Sequence, residues 1–214
     1  MAAITDKNRR IVKRLYYKDL YGARQIADKL GVSLDAVYYF MRRHKMKRRS
    51  FAEENKIRFD RKEPSFHIRK NLSPNEKQLK TIGTILYWGE GYKTEKSKGI
   101  DFTNSDPQMI DIFICFLRNI CGVDESRLRV LLYCYSDQDP KRLIKFWSKL
   151  TGIQESQFSR PYIRSKNNNV TENKMKYGLI HIRYMDKKLL VAVKQWIENY
   201  KEQFCVGGRV AKYT

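Results

Sequence analysis

The sequence predicts an α+β protein with a separate, all-helical N-terminal head. Three observations carry this. The first fifty residues hold only short apolar runs at helical spacing, such as Ile11, Val12 and Leu15. From Asn75 onward, stretches of period 3.6 alternate with stretches of period 2, which is how helices and strands arranged around a small sheet read in sequence. Charge divides the chain at the same place: residues 1–50 hold fourteen Lys/Arg against four acids, and residues 51–80 hold eight against five.

The whole chain has 214 residues, with 44 Lys+Arg against 23 Asp+Glu and a formal net charge of +21. At 42% hydrophobic and 13% aromatic residues, it is too apolar for a disordered basic tail. A folded, aromatic-rich chain this basic points to nucleic acid as its partner. No run reaches the roughly 20 apolar residues needed to span a bilayer, and the N-terminus has no signal-peptide apolar core. Cys115, Cys121, Cys134 and Cys205 have mostly apolar neighbours, and His44, His67 and His181 are scattered. Neither set has zinc-ligand spacing, so free thiols in a reducing compartment are expected. The expected location is cytoplasmic and nucleoid-associated, with no membrane and no small-molecule cofactor.

In the head, a second amphipathic run (Ala23, Ile26, Ala27, Leu30) is followed by Gly31-Val32-Ser33 and then by Leu34, Val37, Phe40 and Met41 on one face. Ser33 suits an N-cap. Small Ala27 allows two helices to cross closely, and Gly31 takes the turn. This spacing resembles the helix-turn-helix of site-specific DNA resolvases and many bacterial regulators. The resemblance implies a recognition helix over residues 33–44, with Leu34, Val37 and Phe40 inward. Ser33, Asp35, Ala36, Tyr38, Tyr39, Arg42 and Arg43 would face DNA, the two arginines toward phosphate. Lys45, Lys47, Arg48 and Arg49 follow as a phosphate clamp that supplies affinity. The expected domains are a helix-turn-helix over 1–50, a linker over 51–74 with a helical turn near 51–59, a body over 75–205, and a tail over 206–214.

In the body a helix is expected over about 74–89, then a lysine-rich turn and a strand over 99–104. Asp106-Pro107 opens a helix that stops at Gly122. A strand follows over 127–135, and Asp139-Pro140 starts a helix ending at Gly152. After the Asn167-Asn168-Asn169 loop come a strand over 177–184 and a last helix over 186–204. Trp88, Trp147 and Trp196 are expected in the core.

Glu90 lies between two glycines, Gly89 and Gly91, at the end of the apolar run Ile82, Ile85, Leu86, Tyr87, Trp88. A carboxylate at the carbonyl end of a helix is unfavourable without a positive partner: a lysine such as Lys93 or Lys96, or a divalent metal. Gly91 reads as a left-handed helix stop. The apolar helix ending in Gly89-Glu90-Gly91, the strand Ile100-Asp101-Phe102-Thr103-Asn104 and the helix from Asp106 together resemble the LAGLIDADG homing endonuclease fold over most of residues 76–200. That resemblance implies a saddle-shaped sheet gripping double-stranded DNA and two such helices packed side by side, their terminal carboxylates holding Mg²⁺. One motif copy implies a homodimer on roughly palindromic DNA. Glu90 then matches the metal-binding and catalytic acid. Lys98 is taken as the basic catalytic partner, and Lys93 and Lys96 as DNA contacts. Ile85 stands where the family usually has a small residue, and Trp88 where it usually has a second acid. The alternatives are a transcriptional regulator with a degenerate domain of this fold, and an RNA-binding accessory factor.

Overall fold

The structure, a computed structural model, describes residues 4–5, 8–165 and 175–204. Cys205, the Asn167-Asn168-Asn169 loop and the tail over 206–214 lie outside the described residues. The chain forms two compact units, residues 1–63 and 64–214. It is α+β: among the described residues there are eight α-helices and one four-stranded mixed sheet.

The first unit is helical. Helix α1, Arg9–Lys13, runs on as a π turn, Arg14–Lys18, and is followed by α2, Ala23–Leu30, and α3, Leu34–Arg43. Val12, Leu15, Tyr16, Ile26, Ala27, Val37, Phe40, Met41 and Met46 form its core. The turn between α2 and α3 follows from its residues. Gly31 adopts φ +65°, the left-handed region open to glycine, and the Val32 amide donates to the Ala27 carbonyl at 3.0 Å. Ser33 Oγ accepts from the Ala36 amide at 3.1 Å and starts α3.

The stretch read as a linker divides between the units. Its first part is a full helix, α4, Phe51–Arg61, opened by a Ser50/Glu53 capping box. Its second part packs on the body: Phe66 bridges Val123, and the Ser65 hydroxyl and amide donate to the Asp186 carboxylate at 2.7 and 3.0 Å.

The second unit opens with α5, Pro74–Glu90, which has a Ser73/Glu76 capping box and proline in its first turn. Then follow β1, Ile100–Asn104; α6, Pro107–Phe116, continued by a π turn to Cys121; β2, Arg129–Tyr135; α7, Pro140–Thr151; β3, Tyr162–Arg164; β4, Leu179–Tyr184; and α8, Lys187–Phe204. Asp106 and Asp139 cap α6 and α7 ahead of their prolines. The sheet order is β1-β4-β2-β3, with β4 antiparallel to β1 and β2, and β3 parallel to β2. Strand β3, not anticipated from sequence, is an exposed edge of three residues.

Alternation gives the sheet two unlike faces. Ile100, Phe102, Val130, Leu132, Cys134, Ile180, Ile182 and Tyr184 point into one core with Tyr87, Phe113, Phe116, Trp147 and Leu190. Trp147 is buried there, and its indole N–H donates to the Tyr177 carbonyl at 2.7 Å. Trp196 packs on the margin of this core. Trp88 departs from the core expectation, being 38% exposed.

Candidate nucleic-acid interface

In the first unit, α3 turns Val37, Phe40 and Met41 inward, so the opposite face carries exposed Asp35, Tyr39, Arg42 and Arg43. Leu34 and Ala36 are half-buried. Tyr38 is half-buried too, with the Arg48 guanidinium 4.7 Å from its ring centre. Lys45, Lys47 and Arg48 are exposed beyond the helix. Ser33 serves as the cap, its oxygen occupied by the Ala36 amide.

Arg49 departs from the clamp expected of it. Its side chain is only 9% exposed and pairs with Glu54 at 2.8 Å. It donates to the carbonyls of Tyr16 and Tyr21 at 3.2 and 2.6 Å, and its guanidinium lies 4.1 Å from the Tyr16 ring centre. An arginine so fully engaged holds the head together and has little left for a phosphate.

In the second unit, α5 is two-faced. Gly83, Thr84 and Tyr87 are buried, and a Cβ added at Gly83 would overlap the Phe116 ring. The other face leaves Ile82 38%, Ile85 46% and Trp88 38% exposed, with nothing within 4 Å of a Cβ added at Gly89. These residues recur at i, i+3 and i+6 to i+7, the spacing of a helix–helix seam.

Glu90 is the last helical residue and is exposed. Gly91 follows with φ −83° and ψ 147°, so the helix does not end on the left-handed glycine expected from sequence. The glycine is required for another reason: a Cβ there would overlap the Tyr87 ring and carbonyl. Lys93 brings a positive charge to the helix end, on its carbonyls and not in an ion pair with Glu90. Its ammonium donates to the Gly91 carbonyl at 2.6 Å and reaches the Tyr87 carbonyl at 3.4 Å. Partial burial lowers the Lys93 pKa, with Glu90 opposing the shift and Lys194 adding to it.

The Gly91–Phe102 bridge and the Tyr92 amide, donating to the Asp101 carbonyl at 2.8 Å, dock the chain after Glu90 on β1. Lys96 and Lys98 are exposed in the following turn. Lys98 lies two residues before β1, while Lys93 is held at the end of α5 by the Gly91 carbonyl.

The open face of the sheet joins Asp101 to His181 and Arg183, two residues not expected at the site from sequence. Register places Asp101 opposite Arg183 and Thr103 opposite His181, while on β2 Arg129 and Leu131 oppose the same two β4 residues. Arg183 Nε donates to one Asp101 oxygen at 2.9 Å, and His181 Nδ1 lies 2.8 Å from the other. Thr103 Oγ1 is 2.9 Å from the same imidazole nitrogen. An aromatic row continues the face, with Tyr133 ring centres 5.0 Å from His181 and 4.9 Å from Tyr162. Burial works to raise the Asp101 pKa, yet the His181 hydrogen bond and the charges of His181 and Arg183 outweigh it and hold the carboxyl below its ordinary value. The one signal in the sequence was alternation: His181 and Arg183 interleave with Ile180 and Ile182.

As for metal, no group of three His, Cys, Asp or Glu side chains capable of holding an ion occurs among the described residues. At the end of α5 one chain offers the Glu90 carboxylate, while the adjacent Gly91 carbonyl is taken by Lys93. One carboxylate is too few donors to hold a divalent ion within a single chain. No helix among the described residues is long and apolar enough to cross a membrane. No protein-family model, curated protein or solved structure matches this chain.

Proposed function

We propose that this protein binds double-stranded DNA as a homodimer of the LAGLIDADG endonuclease type, and that it hydrolyses phosphodiesters with two Glu90 side chains, one from each copy, holding Mg²⁺. The observation that carries the reading is the exposed apolar stripe of α5, Ile82, Ile85 and Trp88, which ends in exposed Glu90. A second copy of the same stripe covers it by two-fold symmetry and brings two carboxylates to one end of the seam. A divalent ion bound between them would relieve their repulsion and stabilise charge on an attacked phosphate. The polar sheet face with Arg129, Arg183 and His181 supports contact with the duplex, and the α2–turn–α3 geometry with exposed Tyr39, Arg42 and Arg43 supports a second, helix-turn-helix contact that adds affinity and address.

One observation favours the non-catalytic reading, a regulator that binds the same DNA without cutting it. The Lys93 ammonium on the Gly91 carbonyl puts a positive charge beside Glu90, which weakens the case for a cation there. Glu90→Gln separates the two. A nuclease loses Mg²⁺-dependent cleavage of a pseudo-palindromic duplex and keeps its binding. Wild-type chain that binds but never cuts, with binding indifferent to Glu90→Gln and to Mg²⁺, establishes the regulator instead. Tighter binding to A-form or single-stranded RNA than to duplex DNA would refute both.

A further inference from the structure

We infer that Arg183, oriented by Asp101, recognises a guanine base in the major groove, once per half-site; this rests on the duplex-binding reading above. Arg183 stands on β4, an inner strand with β1 and β2 on either side, so it lies in the floor of the open face. Asp101 faces it directly in register, with Nε to Oδ2 at 2.9 Å. The other carboxylate oxygen is engaged by His181 at 2.8 Å, which fixes the carboxylate in turn. Spending Nε on Asp101 holds the long side chain in one arrangement. It leaves the two terminal amino groups as paired parallel donors, since Asp101 is the guanidinium's hydrogen-bond partner among the described residues. The side chain remains 31% exposed.

Two parallel donors match the O6 and N7 acceptors of guanine. Adenine presents an amino donor in place of O6 and meets them badly. A phosphate could also accept both, but it would bring a second anion to within a guanidinium's width of the Asp101 carboxylate. Guanine's acceptors are neutral and avoid that repulsion. Arg129, opposite Arg183 on β2 and exposed, has no such carboxylate in register: one of its amino groups donates to the Ser126 and Leu128 carbonyls at 2.7 Å, and with no anion beside it among the described residues, it is the better phosphate contact. The division of labour is an arginine buttressed by a carboxylate for the base and one without a carboxylate partner for the backbone.

The test uses the full chain and a randomised duplex library, followed by the selected site carrying single base replacements. With wild-type protein, inosine, which keeps O6 and N7, should bind like guanine. 7-Deazaguanine and adenine at the same position should weaken binding by about 5- to 150-fold. Arg183→Gln should erase the preference at that position alone, with the salt dependence unchanged, and Asp101→Asn should reduce it. Uniform weakening across all sequences by Arg183→Gln, with the salt slope falling by about one, would make Arg183 a phosphate contact and overturn the inference. So would a selected site indifferent to 7-deazaguanine at every guanine, a result that needs no variant to fold. Wild-type chain without sequence-specific duplex binding overturns the parent reading along with it.

Discussion

Lys93 folds back onto the carbonyl oxygen of Gly91, 2.6 Å away, and so closes the end of the helix that carries Glu90. A cation there offsets both the partial negative charge of the helix terminus and the nearby carboxylate. Replacing it with methionine keeps the stem and removes the charge. Lys93→Met should cost about 1 kcal/mol in chemical denaturation, with a larger loss at low ionic strength than at high. An unchanged midpoint would show that the lysine is idle.

The seam proposed for α5 can be tested apart from DNA. Ile85 is 46% exposed, so Ile85→Glu should leave the fold and melting of the monomer nearly unchanged, within about 0.5 kcal/mol. It should convert a dimer to a monomer in analytical ultracentrifugation. A dimer that persists would place the interface elsewhere.

Two glycines of α5 should respond in opposite senses. Alanine favours a helix over glycine by up to about 1 kcal/mol. At Gly89 the added Cβ meets nothing within 4 Å, so Gly89→Ala should stabilise the isolated protomer while crowding a close-packed second helix. At Gly83 the same group overlaps the Phe116 ring, and overpacking of about 1–3 kcal/mol exceeds the propensity gain. Gly83→Ala should lower the melting temperature.

Asp101 sets an acid limit on the second unit. Its folded-state pKa is depressed by His181 and Arg183 against the opposing effect of burial. The stability it contributes is therefore fully present above the unfolded aspartate value, about 3.9, and is lost as pH falls through the lower folded value. Asp101→Asn should flatten the stability profile below about pH 4, measured by urea denaturation at successive pH values. The same slope in variant and wild type would assign the acid sensitivity to other carboxylates.

Arg49 and Arg42 are the same residue type seven positions apart, with opposite surroundings. Arg49→Ala, which removes a nearly buried guanidinium and leaves its three acceptors, Glu54 and the Tyr16 and Tyr21 carbonyls, without their donor, should destabilise the head by about 2–3 kcal/mol. Arg42→Ala, on an exposed position, should leave stability within about 0.5 kcal/mol and act only on DNA affinity and its salt slope.

Local signals were legible where a single turn decides the outcome. Ala27, Gly31 and Ser33 gave the α2–α3 junction because the close crossing, left-handed turn and cap each need a particular small or polar side chain. The Asp-Pro pairs gave the starts of α6 and α7 for the same reason. Arg49 could not be told from Arg48, since its partners Tyr16 and Tyr21 lie about thirty positions earlier. The Asp101 cluster was hidden likewise: alternation assigns faces, but register between strands eighty positions apart is a tertiary outcome. Gly91 was read as a left-handed stop when its neighbour's ring, not its φ, excludes a side chain.

The sheet also has a timetable. Its inner strand β4 ends at Tyr184 and pairs with β1, which begins at Ile100, whereas the head is closed by contacts among its first 63 residues. Distant pairings must wait for the chain between them and form slowly. During synthesis the head can be folded while β1 still stands without its neighbour, its unpaired edge open to other chains. Much of the core of this basic protein is therefore assembled last, and conditions that slow synthesis or raise its concentration should act on the body's yield and spare the head.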